Sequence, residues 1–352
     1  MFSDRTKESK VLAFLFSLFL LLDSVRYDTL SFQLKSIFLF LATFAGIFAL
    51  LVIVLDVCFC YLKTKQLSNI APVAKQSVRK IRCISFSLLW VVYFFYFLNQ
   101  YPGSLSCDTP GQLMQALGYA AFENANPFIN TLVLTICVRT GQAIGGSVNA
   151  GVATYTVFQL TLVAVCFSYT VATLYKHNFP NALVVFAQIF FNLVPYNIVY
   201  AAGMWKDTFF AVLFLAAITH LFDFIMCEQA GLVQTKRTQC TLFLLVFLAS
   251  LSRNSGWSSF LVFGMVLFLL NSRYKAINAK LLSMVIMSGA LLAVTTITLV
   301  YPWFGITDNG NITTGLSVPL QQLARVVTYD GNLSSSERAQ IDWMCSVEDI
   351  PE

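Results

Sequence analysis

Long apolar runs separated by short polar loops dominate the chain. A helix that crosses a bilayer needs about 20 predominantly apolar residues. The bilayer interior accepts only helices and closed barrels, and these runs lack the alternation of barrel strands. The pattern therefore predicts an all-α, polytopic transmembrane helical bundle. The predicted spans are residues 11–22 (short), 37–62, 83–100, 150–175, 182–204, 208–226, 240–251, 257–270 and 281–303.

Composition agrees with this class. Hydrophobic residues make up 57% of the 352 residues and charged residues 11%, whereas about a quarter of the residues in a soluble domain are charged. The net charge of +5 is explained by cytoplasmic loops that meet anionic lipid. Membrane lipids are thus expected partners, and no nucleic-acid partner is implied.

Basic loops predict the orientation, because short cytoplasmic loops carry the excess Lys and Arg. Residues 63–82 contain six basic residues and no acidic one, so this loop is expected inside. If residues 127–146 crossed the membrane, every later basic loop would lie outside. We therefore expect this segment to lie in or dip into the outer interface without crossing, which leaves nine crossings, an inner N-terminus and an outer C-terminal tail.

Four regions follow from this topology. Residues 1–62 form a two-helix membrane segment and 63–82 a basic cytoplasmic loop, while 83–303 form the membrane core, with an outer loop at 101–149, and 304–352 an outer tail. The first helix resembles a secretory signal but lacks a small-x-small cleavage site after Leu22, so we expect it to remain uncleaved. The abrupt end at Glu352 leaves open whether the tail is truncated.

The predicted outer face gathers most of the unusual polar residues. Asp108 lies in the loop YPGSLSCDTPGQ, directly after a predicted span, and is the candidate catalytic residue. A short helix that starts after Pro110 would place Gln112 and Gln115 near the same face. Alternatively, Asp108 serves only as the N-cap of that helix.

Further candidates lie at other span boundaries. Asn126, before Pro127, would orient a substrate hydroxyl or cap a helix. Lys206 and Asp207 in GMWKD would either form a neutral pair with each other or, in the case of Lys206, hold a lipid phosphate. In SRNSGW, Arg253 offers a planar fork suited to phosphate, with Asn254 beside it; the alternative is that Arg253 only snorkels to the interface.

Cysteine and histidine give weaker signals. Seven of the nine cysteines are scattered in or beside predicted helices without a CxxC motif, and we interpret them as packing residues. A disulfide between Cys107 and Cys345, both predicted outside, stays open. Neither His177 nor His220 has a second ligand at metal-binding spacing in the sequence, so structural roles are expected for both.

Several motifs occur in an order that resembles a bacterial family of multi-spanning proteins of unassigned function. They are YPGSLSCDTPGQ, the following NP, Tyr155 to Gln159, MWKD, SRNSG and GLSVPLQQLARVV. That family resembles a branch of the GT-C superfamily of membrane glycosyltransferases. One departure is Asn126-Pro127, where many such enzymes have His-Pro.

The resemblance implies a location in the bacterial plasma membrane and a reaction at its outer face. A sugar would pass from a polyprenyl-phosphate donor to a cell-envelope glycan or protein acceptor. Asp108 would be the general base, and Lys206 and Arg253 would hold the donor phosphate. The remaining substrate-binding candidates are Gln112, Gln115, Asn126, Asp207 and Asn254. The use of a metal stays open, with Asp207 as a second carboxylate or as a residue that helps to hold Mg²⁺ or Mn²⁺.

Two other classes compete with this interpretation. A transporter or flippase of lipid-linked sugars or small solutes also needs polar residues in a helical bundle, but it typically shows internal repeats and charges near the midplane. The candidate charges here gather instead at one face, with Asp56 and Asp223 as the main exceptions. An envelope scaffold would explain the helices but not the ordered polar motifs.

Overall fold

The computed structural model is all-α apart from two very short strands. The chain divides into two units, Met1–Pro72 and Val73–Glu352, and every element given below belongs to the second. The structure describes residues 10, 14, 45–46, 48–49, 52, 73–106, 108–124, 126–232, 235–270, 278–306, 317–329, 331 and 334–344. The two spans predicted before residue 63 lie largely outside these described residues, as do Cys107 and Cys345.

The described elements follow one another in this order. They are α1 (Lys75–Asn99), β1 (Ser104–Leu105), α2 (Thr109–Leu117), α3 (Phe128–Gly145), α4 (Val148–Lys176), α5 (Asn181–Leu193), α6 (Pro195–Ala202), β2 (Gly203–Met204), α7 (Lys206–Gln229), α8 (Lys236–Leu251), α9 (Gly256–Leu270), α10 (Ala279–Thr295), a π-helical turn (Thr296–Val300), α11 (Tyr301–Trp303), α12 (Ser317–Thr328) and α13 (Ser335–Met344).

The described helices are apolar and long enough to make this an integral membrane protein. Five of them could cross a bilayer by length and composition, or six if the bent pair α5 and α6 forms one span. The predicted number of nine spans is not confirmed. One of the five is α3, which we expected to remain in the interface.

Two ends of the helical body can be defined by the contacts between α4 and α7. Gln159 of α4 lies beside the start of α7, where its amide donates to the Gly203 carbonyl. At the other extreme, Lys176 donates to Asp223. We name these the Lys206 end and the Asp223 end. The loop after α1 and the turn between α8 and α9 lie at the Lys206 end, since Ser104 pairs with Gly203 and the Ser252 carbonyl contacts α3.

Helix α3 packs against other segments at the Lys206 end. Its first turn contacts the start of α7 and the end of α8 through Asn130. Its later turns pack on the first turns of α4, where Gly141 meets Gly151. That part of α4, from Val148 to Gln159, extends about 16 Å past the start of α7 at 1.5 Å per residue. The length and composition of α3 would permit a crossing, and its location in the outer interface stays a prediction.

Prolines explain a bend in one predicted span and a π-helical turn in another. Residues 182–204 were expected to be one helix, but α5 and α6 meet at 52°, because Pro195 has no N–H and restricts Val194 to an extended conformation. The π-helical turn precedes Pro302, whose ring excludes the regular α-helical hydrogen bond. Helix α1 also starts at Lys75 rather than Cys83, so part of the predicted basic loop is helical.

Three buried clusters hold the helices together. The largest joins α7 to α8, α9 and α10, with Phe224, Leu242 and Ile286 at its centre. A second joins α1 to α4, where Tyr93 is fully buried. The third joins α2, α3 and the first half of α4 around Leu134 and its neighbours. The third cluster fixes the polar loops of the Lys206 end.

The tail contains two short helices, and the predicted amphipathic segment at 320–327 lies within α12. Helix α13 begins with a capping box in which the Ser334 hydroxyl donates to the Glu337 carboxylate and the Glu337 N–H donates back to that hydroxyl. The carboxylate also accepts from the Ser334 backbone N–H, and the bonds from the Ser334 hydroxyl and this N–H lower the pKa of Glu337.

Candidate functional site

Asp108 stands at the N-cap position of α2, but its side chain does not cap the helix. Thr109 stabilises the turn instead, because its hydroxyl accepts from the Ser106 N–H at 3.0 Å and donates to the Met204 carbonyl at 2.5 Å. The Asp108 carboxylate is therefore available for another partner. It lies 2.9 Å from the Lys206 ammonium, and 40% of its side chain is exposed.

Lys206 also contacts the loop before α3. Its ammonium donates to the Asn126 side-chain oxygen at 2.6 Å. The N-cap position of α3 is Pro127, and it is Asn124, not Asn126, whose side-chain oxygen accepts from the Phe128 N–H, at 3.0 Å. Asn126 therefore does not cap the helix, and its side-chain oxygen instead accepts from Lys206. Asp108, Asn126 and Lys206 form a contiguous polar group.

Asp207 is directed away from Lys206, although the two are adjacent in sequence. Its carboxylate accepts from the Trp205 indole at 3.0 Å and lies 3.6 Å from the Arg253 guanidinium. Arg253 is half exposed and stacks over Phe210 at 5.4 Å. The neutral Lys206–Asp207 pair considered from the sequence is not present, and each residue instead pairs with a distant segment.

Asn130 is a buried residue of this region that sequence reasoning missed. Only 2% of it is exposed, and its amide donates to the Ser252 carbonyl at 3.1 Å and to the Lys206 carbonyl at 3.4 Å. It thereby joins α3 to the segments that carry Lys206 and Arg253. A single Asn in an apolar run gave no signal beyond its polarity.

Gln112 and Gln115 do not face the open site. Both are buried, and their amides donate to the Thr131 hydroxyl at 3.1 Å and to the Glu123 carboxylate at 3.3 Å, respectively. They fasten α2 to α3 and to the loop that follows α2. Asn254, in contrast, is exposed in the turn that carries Arg253.

An apolar groove of about 540 Å³ has Trp205 and Asp207, the residues on either side of Lys206, in its lining. It runs along α4, α5, α6 and α7, and its lining also includes Phe167, Leu215 and Tyr200. Asp207 is the only acidic or basic residue among the lining residues. A smaller cavity of about 320 Å³ lies along β1 and β2 and shares Tyr200 and Trp205 with the groove.

The donor set around Asp207 does not fit a divalent-metal site. Its one carboxylate already faces a guanidinium and an indole N–H, and Asp108 faces an ammonium. Among the described residues, the only group of three or more His, Cys, Asp or Glu side chains close enough to share an ion is His177, Asp223 and Cys227. That group lies at the opposite end of the body, remote from Asp207.

Residues 117–352 match a family model described as "Family of unknown function (DUF6020)". The match covers more than half of the chain, and the chain belongs to this family. Asp108 lies before the matched range, whereas Asn126, Lys206, Asp207 and Arg253 lie inside it. No curated protein and no solved structure matches the chain.

Proposed function

We propose that this member of the DUF6020 family is a GT-C-like integral membrane glycosyltransferase. It transfers a sugar from a polyprenyl-phosphate donor to a cell-envelope acceptor at the outer face of a bacterial plasma membrane. The observation that carries the proposal is a partly exposed carboxylate, Asp108, held by Lys206 at 2.9 Å. The next residue along the chain after Lys206, Asp207, pairs with Arg253 and lines an apolar groove.

The groove suits the donor's lipid chain. Aromatic and aliphatic side chains from four helices line it, and its one charged residue, Asp207, lies at the Lys206 end. An isoprenoid tail would bury apolar surface along the groove at about 25 cal/mol per Å². Its phosphate would then lie near Trp205 and Asp207. The architecture thus favours a ligand with a long apolar tail and a polar head.

The charges near the groove suit a phosphate that arrives and leaves. Asp108 and Asp207 are negative and Lys206 and Arg253 positive, so their formal charges cancel. An incoming phosphate would compete with the two carboxylates for the two cations. When it draws the Lys206 ammonium away, the Asp108 carboxylate is left free to accept a proton.

In the proposed reaction, the acceptor hydroxyl attacks the anomeric carbon of the donor sugar. Asp108 takes the hydroxyl proton as the new C–O bond forms. The bond between the anomeric carbon and the phosphate oxygen breaks, and the phosphate departs with the electron pair. Lys206 and Arg253 stabilise the charge that grows on it. A single displacement of this kind inverts the anomeric configuration.

The test is sugar transfer in membranes from cells that carry wild type or Asp108→Asn, given a radiolabelled polyprenyl-phosphate sugar. We expect transfer to fall by about 10²–10⁴-fold, the typical contribution of a general base. The free energy of unfolding should change little, because a partly exposed ion pair contributes about 0.2–1 kcal/mol to stability. The matched control is Asp342→Asn, which alters an exposed carboxylate in α13.

Normal transfer by Asp108→Asn at matched expression would remove Asp108 as the base. If neither wild type nor variant transfers sugar, and the labelled lipid instead moves between leaflets, the protein is a transporter and the glycosyltransferase proposal is wrong.

A further inference from the structure

A second polar cluster lies at the Asp223 end, remote from the proposed active site. Its members are Lys176 and His177, where α4 ends, and Asp223 and Cys227, one turn apart on α7. The same Asp223 oxygen lies 2.6 Å from the Lys176 ammonium and 2.6 Å from the His177 Nε2. The Cys227 sulfur lies 3.8 Å from that oxygen and 3.4 Å from the ammonium.

We propose that His177, Asp223 and Cys227 form a binding site for a zinc-like divalent transition-metal ion. Imidazole nitrogen, carboxylate oxygen and thiolate sulfur are the ligand atoms that Zn²⁺ takes in proteins. A three-residue site leaves a fourth tetrahedral position for water. Hard cations such as Mg²⁺ and Ca²⁺ prefer oxygen ligands throughout, so the sulfur and nitrogen donors select against them.

The geometry is close to what one ion requires. The three ligand atoms lie within 4.8 Å of one another. Zinc bonds of about 2.0–2.3 Å place tetrahedral ligands roughly 3.3–3.8 Å apart. The Cys227–Asp223 distance of 3.8 Å already fits, and the His177–Asp223 distance of 2.6 Å must widen by less than about 1 Å. Because His177 is the C-terminal cap of α4, where the helix ends, a small change in its side-chain conformation can widen the distance to Asp223.

The position of the Lys176 ammonium also indicates that this cluster favours a cation. Its ammonium occupies the space between Asp223 and Cys227, so a positive charge is already held by two of the three ligand atoms. The Lys176 side chain is 30% exposed, against 10% for His177 and 17% for Asp223. A divalent ion would therefore displace the ammonium toward solvent while the ligands remained inside.

The location also suits a thiolate ligand. The predicted topology places the Asp223 end in the cytoplasm, where cysteines remain reduced. Metal binding would join the end of α4 to the last turns of α7. This site is independent of the proposed glycosyltransferase activity, because none of its residues belongs to the Lys206 end.

The test is Co²⁺ titration of the purified full-length protein in detergent, followed by ultraviolet and visible absorption. We expect a thiolate-to-cobalt charge-transfer band and tetrahedral visible bands, both abolished by stoichiometric Zn²⁺. Cys227→Ser should remove the charge-transfer band, and His177→Ala should weaken binding at least about tenfold, since even outer-shell changes typically cost 10–100-fold. The matched control is Cys240→Ser, an exposed cysteine on α8.

Lys176→Met separates a metal site from a structural ion pair. If the ammonium competes with the metal, this variant binds Co²⁺ more tightly than wild type. The proposal is overturned if wild type and Lys176→Met both lack the charge-transfer band, or if Cys227→Ser retains it. A Co²⁺ affinity unchanged by both His177→Ala and Lys176→Met would also overturn it.

Discussion

Asn130 provides the sharpest test of how the polar loops are held together. Its amide reaches two backbone carbonyls, those of Ser252 and Lys206, from a side chain that is 2% exposed. Replacing Asn130 by Ala removes the donor from both. Since Ser252 is itself buried, water cannot readily replace the lost hydrogen bond at its carbonyl.

The expected cost follows from the two distances. An unsatisfied buried acceptor costs about 1–3 kcal/mol, and the 3.1 Å bond to Ser252 accounts for most of this. The 3.4 Å contact to Lys206 is weaker. The side-chain oxygen of Asn130 is already buried without a partner, so its removal offsets part of the loss. We expect the free energy of unfolding to fall by about 1–3 kcal/mol in total.

Asn130→Asp is the more severe change, because an ionised carboxylate only accepts hydrogen bonds and would face two carbonyl oxygens. A buried, uncompensated charge costs about 3–5 kcal/mol. The assay is reversible unfolding of the purified protein in mixed micelles, monitored by circular dichroism. Thr140→Ala serves as the control on the same helix, since its exposed hydroxyl bonds only within α3.

The reasoning is refuted if Asn130→Ala unfolds within 0.5 kcal/mol of wild type, the usual range for surface substitutions. It is also refuted if Asn130→Asp is no worse than Asn130→Ala, because the predicted order rests on the amide acting as a donor.

Two further predictions concern packing and orientation. Gly141→Ala should destabilise the α3–α4 contact by about 1–3 kcal/mol through overpacking, because a Cβ there would lie 2.5 Å from the Ala150 carbonyl oxygen. The control is Gly111→Ala, where a Cβ would meet no atom within 4 Å, and this variant should be neutral or stabilising. Equal thermal stability of the two variants would contradict the packing argument. In a background without native cysteines, Asn254→Cys should react with an impermeant maleimide in intact cells and Lys236→Cys only after permeabilisation; the reverse pattern would invert the predicted topology.

The candidate residues show how far sequence reasoning reached. Asp108, Asn126, Lys206, Asp207 and Arg253 were selected because polar residues at the ends of apolar runs are unusual, and the structure brings all five to one end of the helical body. Their partners could not be selected in this way. Lys206 and Asp207 are adjacent in sequence, yet each pairs with a residue from a different loop.

The same limit applies to the opposite end. No spacing in the sequence connects His177 with Cys227, because the chain first crosses the body to the Lys206 end through α5 and α6 and then returns through α7. The interpretation of His177 as structural relied on sequence neighbours alone, and the proposed metal site consists of tertiary neighbours.

The sequence by itself determined that this is a helical membrane protein, because the length and polarity of an apolar run depend only on residues that follow one another. It also determined most helix ends, at Pro, Gly and charged residues. Tertiary structure decided which polar groups meet, that Gln112 and Gln115 are buried, and that Asn130 joins three segments. Those outcomes depend on helix packing in three dimensions, where residues about a hundred positions apart come within hydrogen-bonding distance.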